Sequence, residues 1–193
     1  MGTTYNIKIV SENPLDSESI KVSIDSILVI LNQQMSTWDP ESEISKFNRW
    51  ISPEPFEISD YFFNVAKKAL ILSQQTQGRF DITVFDLLSL WGFGPNPKSR
   101  IPNRKDIDSV MAYTGFQHIH VEKNILFKNN NKTKIDLNAI AKGYGVDVIF
   151  TFIKSLGFDN LFVEIGGEVR FSGYNRNLNN WSVGLENPPS NSI

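Results

Sequence analysis

The chain has 193 residues, of which 40% are hydrophobic, and this is enough to bury the core of one folded domain. The formal net charge of -2, with basic residues scattered along the chain, disfavours nucleic acid and anionic lipid as general partners. With no cysteine and two histidines, the chain has neither a disulfide framework nor a thiolate metal site. Any metal must therefore be bound by oxygen, which favours magnesium or calcium.

The sequence contains no apolar run as long as a membrane span. Its N-terminus also lacks the charged, apolar and cleavage regions of a signal peptide. We therefore expect no transmembrane segment in this chain, and export would have to be encoded by residues outside it.

The first part of the chain predicts one strand and two long helices. Alternation predicts the strand over 4–10, followed by a turn at Asn13 and Pro14. A helix is predicted over 16–34, and another over 59–77 with Ser59 as N-cap and Gly78 as the closing glycine. The apolar side of the first helix is predicted to comprise Ile20, Val22, Ile24, Ile27, Leu28 and Leu31.

The segment over 35–50 lies between these helices and differs from them in composition. Asp39 and Pro40 predict a turn or a helix start, and a smaller lobe is one arrangement that we consider for this segment. Trp38 comes directly before the turn, where its indole could stack on a planar ring. The alternative is that Trp38 and Trp50 close the edge of the core, and for Trp50 we favour it.

The segment over 78–95 predicts a strand followed by an aromatic loop broken by glycines. Asp81 lies between Phe80 and Ile82, and a carboxylate in an apolar setting needs a partner. That partner could be a hydroxyl or ring nitrogen of a ligand, or local backbone amides. The sequence leaves both alternatives open.

The region over 96–127 predicts a loop, a helix over 104–113 ended by Gly115, and two paired strands over 116–122 and 124–127. His118 and His120 alternate along the first of these strands, where we interpret them as cross-strand packing residues. Further along, a hairpin is predicted over 160–172 with its turn at Gly166 and Gly167, and a last strand over 181–185.

The stretch over 134–147 predicts the end of a strand leading into a helix over 139–156, with Asn138 as N-cap. The first amides of a helix are free to bind an anion, so backbone alone could hold a phosphate or diphosphate here. Asp136, Ala139 and Lys142 could converge on the same ligand. The alternative is an ordinary strand-to-helix turn with Asp136 as a surface carboxylate.

Four segments resemble one known family in order and spacing. They read M-S-T-W-D-P-E-S-E-I-S-K-F-N, then G-R-F-D-I-T-V followed by L-W-G-F-G-P, then I-D-L-N-A-I-A-K-G-Y-G-V-D, and last V-E-I-G-G-E-V-R with W-S-V-G-L-E. Together they resemble the ApbE-like flavin transferases, the FAD:protein FMN transferase family. The resemblance implies an α+β fold, with helices packed on a mixed sheet in a single T-fold-like domain.

The family's activity is also implied by the resemblance. It is a magnesium-dependent transfer of FMN from FAD to a threonine of a target flavoprotein, with release of AMP. The partners would be FAD and an acceptor flavoprotein such as a membrane redox subunit. The implied location is the periplasm or the outer face of the bacterial cell envelope.

The matching positions imply roles for particular residues. FAD contacts are implied for Met1, Trp38, Phe80, Asp81, Ile82, Asp136 and Lys142. Ala139 matches a metal position, at which it can act only through its backbone carbonyl, and Lys142 could stabilise the charge that develops as a diphosphate is cleaved. Phe85 and Asp86 stand where the family commonly has Gly-Pro, which puts the course of that loop in question.

The resemblance places the family's remaining metal ligands and a histidine-bearing motif in a further C-terminal segment. We therefore expect the 1–193 domain to be C-terminally incomplete, at best a weak FAD binder, with its catalytic residues unknown. Alternatives are an FAD pyrophosphatase giving FMN and AMP, a non-catalytic FAD-binding module, or a partner-binding domain that uses the aromatic loop over 90–95.

Overall fold

The computed structural model describes residues 2–12 and 14–184. Its helices are α1 (Ser17–Met35), α2 (Glu43–Arg49), α3 (Asp60–Gln75), α4 (Phe85–Leu90), α5 (Arg104–Met111) and α6 (Asn138–Ser155). Its strands are β1 (Tyr5–Val10), β2 (Phe56–Glu57), β3 (Ile119–Glu122), β4 (Ile125–Lys128), β5 (Asn160–Ile165) and β6 (Glu168–Ser172).

The expected α+β class is confirmed, and the strands of the described residues are arranged in two sheets rather than one. The first sheet has the order β1-β5-β6 and the second the order β2-β4-β3. Every pairing within them is antiparallel. No helix in this part of the chain is both long and apolar enough to cross a membrane.

Helices α1 and α6 cover one face of the first sheet. The buried positions of β5 alternate, so that Leu161 and Val163 meet Ile149 and Ile153 of α6 in one apolar cluster. A second cluster lies between α1, α2, α3 and the second sheet, and it includes Phe47, Phe62 and Leu126. The start of α6 touches both clusters, because Ala141 belongs to the second and Val146 to the first.

The smaller lobe considered for residues 35–50 does not form. Ile44 and Phe47 of α2 are fully buried in the larger cluster, so this segment is part of the main core. Trp50 is half-buried and packs edge-on against Phe56, with ring centroids 5.5 Å apart. Its predicted place at the edge of the core is confirmed.

Both long helices form, with two corrections in detail. Asp16 caps α1 by accepting a 3.0 Å bond from the Ser19 amide, but Val22 is exposed and does not belong to its apolar side. Ser59 precedes α3 without capping it, because its hydroxyl donates to Glu43 at 2.7 Å instead. Gly78 closes α3 as predicted, with φ of 80° and a 2.8 Å bond from its amide to the Ser73 carbonyl.

Glu43 ties the beginnings of α2 and α3 together. Its two carboxylate oxygens accept from the amide and the hydroxyl of Ser59, at 2.6 and 2.7 Å. Burial raises the pKa of this carboxyl, and the bonds from Ser59 oppose that rise. A contact between side chains 16 positions apart has therefore replaced the local cap expected from the sequence.

The strand predicted directly after Gly78 is wrong. Thr83 donates from both its amide and its hydroxyl to Asp81, at 2.8 and 2.6 Å, which bends the backbone into a turn before α4. Phe85 and Asp86, which replace the Gly-Pro of the resembled motif, form the first positions of that helix.

The β3–β4 hairpin is confirmed, with Lys123 and Asn124 at φ of 48° and 61° in its turn. Residues 116–118 form a 3₁₀ turn ahead of β3, so His118 and His120 do not share a strand as predicted. His120 Nε2 instead lies 2.9 Å from the side-chain Nδ2 of Asn129.

The predicted turn between β5 and β6 is also confirmed, since Gly166 and Gly167 have φ of 56° and 97°. Residues 181–184 form no strand, contrary to prediction. Their neighbour Asn180 makes a single bridge with Tyr174. Residue 185 of that predicted strand, and Asn13 of the predicted first turn, lie outside the described residues.

Candidate functional site

The segment that leads into α6 is extended without being part of a sheet. The Asn48 side chain donates to the Ile135 carbonyl at 2.9 Å and accepts from the Ile135 amide at 2.8 Å. The Asp136 amide donates to the Ile82 carbonyl at 2.7 Å. The strand end predicted here is wrong because a side chain and a loop carbonyl take the place of a neighbouring strand.

Helix α6 begins one residue earlier than predicted, and Asn138 is not its cap. Asp136 accepts from the Asn138 amide at 2.7 Å and from the Asn138 side chain at 2.9 Å. The amides of Ile140 and Ala141 both donate to the Leu137 carbonyl. Three of the first four amides of α6 are engaged and a carboxylate lies at the helix start, so backbone alone offers less to an anion than expected, and diphosphate binding here stays a prediction.

Asp136 is buried, with 8% of its surface exposed. The alternative that it is a surface carboxylate is therefore wrong. Burial raises the pKa of Asp136, and the two bonds from Asn138 act in the opposite direction.

Two adjoining cavities lie at the start of α6. The first has a volume of about 510 Å³ and is lined by Trp38, Gly78, Arg79, Phe80, Asp81, Ile82, Val84, Leu88, Phe93, Gly94, Asp136, Asn138 and Ala139. The second has a volume of about 480 Å³ and is lined by Gly2, Leu31, Asn32, Met35, Ser36, Trp38, Asn138, Ala141 and Lys142. The two share Trp38 and Asn138, and each has the size of a small-molecule site.

The structure brings the predicted site residues together around these cavities. Trp38, Phe80, Asp81, Ile82, Asp136 and Ala139 line the first, and Lys142 lines the second with Trp38. Met1 lies outside the described residues, although its neighbour Gly2 lines the second cavity. Binding of FAD by these residues stays a prediction.

Asp81 has partners within the protein. One of its oxygens accepts from the amide and hydroxyl of Thr83, and the other accepts from the Phe116 amide at 2.8 Å. These bonds are those of the backbone-amide alternative. They fix the carboxylate at the wall of the first cavity, next to Phe80.

Lys142 is paired with an acid instead of standing alone as a cation. Its Nζ lies 2.9 Å from Glu168 Oε1 and donates to the Gly166 carbonyl at 3.4 Å. The other carboxylate oxygen of Glu168 is buried and has no hydrogen-bond partner among the described residues. Part of the positive charge of Lys142 is therefore already balanced at the second cavity.

The described residues do not by themselves fit a magnesium site. They contain no group of three or more His, Asp or Glu side chains placed to hold a metal ion. Ala139 offers a single backbone carbonyl, and magnesium requires several well-placed oxygens.

Three of the lining residues that the sequence did not assign to the site bring a charge, a ring or an amide to it. Arg79 brings a cation to the first cavity, Phe93 brings an aromatic ring, and Asn138 joins the two cavities. The signal for Arg79 was its position directly before Phe80 and Asp81. For Asn138 it was the spacing of two from Asp136, which is typical of an Asx turn.

The aromatic loop considered as a partner surface lies at the rim of the first cavity. Trp91 and Phe93 are 55% and 63% exposed, and Phe93 also lines that cavity. Two hydrogen bonds attach the loop to α4, one from the Phe93 amide to the Leu88 carbonyl and one from the Lys98 amide to the Ser89 carbonyl.

Comparison with known proteins identifies relatives over nearly the whole chain. The sequence profile of the ApbE family matches residues 1–193. A "FAD:protein FMN transferase" of Vibrio cholerae serotype O1 is 42% identical over 190 residues, which is 97% of this chain. One of Haemophilus influenzae with the same name is 36% identical over 196 residues, again covering 97% of this chain.

Solved structures agree with the sequence comparison. The "Flavin Transferase ApbE from Vibrio cholerae" superposes with a TM-score of 0.93 at 42% identity, over 97% of this chain and 62% of that one. The apo form of the Pseudomonas stutzeri flavinyl transferase ApbE gives 0.90 at 33% identity, over 96% and 62%. The chain spans 57% of the length of the two curated relatives named above.

Proposed function

Because the chain belongs to the ApbE family, we propose that it acts as an FAD:protein FMN transferase, moving FMN from FAD to a threonine of an acceptor flavoprotein with release of AMP. The observation that carries the proposal is geometric. Seven positions that match FAD or metal positions of the family line two adjoining cavities at the start of α6. Relatives with this activity in their names support it.

In this proposal the flavin ring stacks on Trp38. Trp38 is 66% exposed and lines both cavities, so a planar ligand can cover its indole. Phe80 and Phe93 add aromatic surface to the first cavity. The carboxylate of Asp81 is held still by Thr83 and Phe116, which suits it to orient a ligand.

The transfer itself exchanges one phosphorus–oxygen bond for another. The acceptor hydroxyl oxygen attacks the FMN phosphorus, the diphosphate bond breaks, AMP departs, and the hydroxyl proton is released. Charge grows on the phosphoryl and leaving oxygens during this step. Lys142 and Arg79 are the cations at the two cavities, and our proposal assigns them to electrostatic stabilisation of that charge.

Dependence of the transfer on magnesium is proposed from the family resemblance alone. Ala139 would contribute a carbonyl ligand, and the other ligands would come from outside the described residues. The threonine acceptor and a location in the periplasm or at the outer face of the cell envelope likewise stay predictions.

A direct test combines the protein with FAD, magnesium chloride and a candidate acceptor flavoprotein. AMP is measured by chromatography, and FMN attachment by flavin fluorescence of the acceptor after denaturing electrophoresis. We expect one AMP per FMN attached, and neither product when the acceptor threonine is replaced by alanine or when EDTA is present. AMP without attachment would identify the pyrophosphatase alternative, and no AMP at all would contradict both enzymes.

The non-catalytic FAD-binding module is the second candidate. It is favoured by one observation, the lack of a metal-binding cluster within residues 2–12 and 14–184. It predicts that FAD raises the melting temperature equally with magnesium and with EDTA, and that no AMP is formed.

A further inference from the structure

The loop that carries Trp38 is attached to the start of α6 by a side chain that the proposed function does not use. Trp38 lies between α1 and α2, and it is 66% exposed. Packing of the indole therefore does little to fix it. Its position depends on how the neighbouring residues are held.

Thr37 provides one attachment. It is buried, with 5% of its surface exposed, and its Oγ1 accepts a 3.3 Å hydrogen bond from the Asn138 side chain. The preceding carbonyl, that of Ser36, accepts from the Ser42 hydroxyl at 2.7 Å. The backbone on the N-terminal side of Trp38 is thus held by α6 and by the start of α2.

The orientation of the Asn138 amide follows from its other partner. Its Nδ2 donates to Asp136 at 2.9 Å, and an ionised carboxylate can only accept. The NH₂ group must therefore face Asp136, and its second hydrogen is directed to Thr37. Asp136 is itself held by the bond from its amide to the Ile82 carbonyl, so the chain of bonds ends on rigid backbone.

We propose that Asn138 is a positioning residue that fixes Trp38, through Thr37, between the two cavities, and that it thereby sets the preference of the site for a flavin over a nucleotide without the ring. This inference rests on the proposed function, because it assumes that the ligand has a ring to stack on Trp38. Asn138 and Trp38 are the two residues common to both cavities, so a shift of one displaces the wall shared by both.

The test measures affinities for FAD and for ADP, which lacks the isoalloxazine ring, at up to millimolar ligand. In Thr37→Val the hydroxyl is lost at nearly constant volume, and the Asn138–Asp136 bonds remain. Loss of one such bond is expected to weaken FAD binding about threefold to tenfold, with the ADP affinity within twofold of the unaltered chain. Thr37→Ser retains the hydroxyl and is expected to keep the FAD affinity.

Repeating the Thr37→Val substitution in the Trp38→Ala variant distinguishes loss of Trp38 positioning from general destabilisation of the fold. In Trp38→Ala the ring to be positioned is gone, so Thr37→Val is expected to cause no further loss of FAD affinity, as a double-mutant cycle would show. An equal loss for FAD and ADP, or a loss that persists in Trp38→Ala, would overturn the inference. Absence of FAD binding by the unaltered chain would overturn the proposed function as well, whereas FAD binding that Thr37→Val leaves unchanged would overturn this inference alone.

Discussion

The side-chain amide of Asn48 and the backbone of Ile135 exchange two hydrogen bonds, of 2.9 and 2.8 Å, across 87 positions of sequence. Both residues are buried. The Asn48 side chain makes the pair of hydrogen bonds that a neighbouring β-strand would make. It thereby fixes the extended segment in which Asp136 precedes α6. The geometry of the candidate site therefore depends on α2, which contributes no residue to the lining of either cavity.

Replacement of Asn48 tests this dependence. Asn48→Ala leaves the buried amide and carbonyl of Ile135 without partners, which is expected to lower the free energy of unfolding by about 2 to 4 kcal/mol. The measurement is urea denaturation followed by circular dichroism. Asn131→Ala, at an exposed position, is the control and is expected to change stability by less than about 0.5 kcal/mol. Equal effects of the two substitutions would contradict this role of Asn48.

Asp136 is expected to matter more for ligand binding than for folding. Asp136→Ala removes the carboxylate that accepts from the Asn138 amide in the first turn of α6, which is worth about 1 kcal/mol, and it also removes a carboxylate from the wall of the first cavity. We expect FAD affinity to fall more than about tenfold, as measured by titration calorimetry.

The matched control for Asp136 is Asp106→Ala, which removes a capping carboxylate from α5 and lines neither cavity. It is expected to lower the free energy of unfolding by about 1 kcal/mol and to leave FAD affinity unchanged. If Asp136→Ala lowered stability and FAD affinity by equal amounts, the role of Asp136 would be structural.

Lys128 provides a prediction about pH. Its ammonium donates to the carbonyls of Phe47 and Thr133 at 3.1 and 3.3 Å and lies 4.8 Å from the Phe47 ring centre. Burial lowers the pKa of Lys128 to about 8, and the nearby charge of Lys134 acts in the same direction. The unfolded chain therefore binds more protons than the folded chain between about pH 8 and the ordinary lysine pKa of about 10.4.

In that interval the contribution of Lys128 to the free energy of unfolding rises with pH. The reason is that the folded chain releases its proton first, and a neutral lysine costs less to bury than a charged one. The free energy of unfolding of the unaltered chain minus that of Lys128→Met is expected to rise by about 1 kcal/mol from pH 7.5 to 10, after allowance for partial exposure. Urea denaturation at each pH provides the values. The control is Lys132→Met, at an exposed position, for which the difference in free energy of unfolding from the unaltered chain should not change with pH. A difference that does not change with pH for Lys128→Met would contradict the lowered pKa of Lys128.

Much of the fold could be predicted from local pattern. The apolar periodicity of α1, α3 and α6 and the glycines of the β5–β6 turn are properties of neighbouring residues, and these elements form as expected. The meeting of Trp38, Asp81 and Asp136 around one cavity was expected from the resemblance to a family, which carries information on distant contacts that a single sequence lacks.

Three of the failures share one physical cause, a side chain that bonds to backbone far away in the sequence. Glu43 takes the place of the Ser59 cap, Asn48 replaces a strand beside Ile135, and Asp81 bonds across to the Phe116 amide. In each case a polar side chain satisfies backbone groups that local rules assign to a regular element. Propensity and periodicity contain no term for such contacts.

Binding of a flavin against Trp38 at the start of α6 is tested by a fluorescence titration of FAD. The unaltered chain is expected to change flavin emission on saturable binding, and Trp38→Ala to weaken that binding at least about fivefold, since stacking of a base on an aromatic side chain contributes about 1 to 3 kcal/mol. Tyr174→Ala, at an exposed aromatic residue that lines neither cavity, is the control and should bind as the unaltered chain does. Equal FAD affinity in Trp38→Ala and the unaltered chain would show that the flavin does not stack on Trp38.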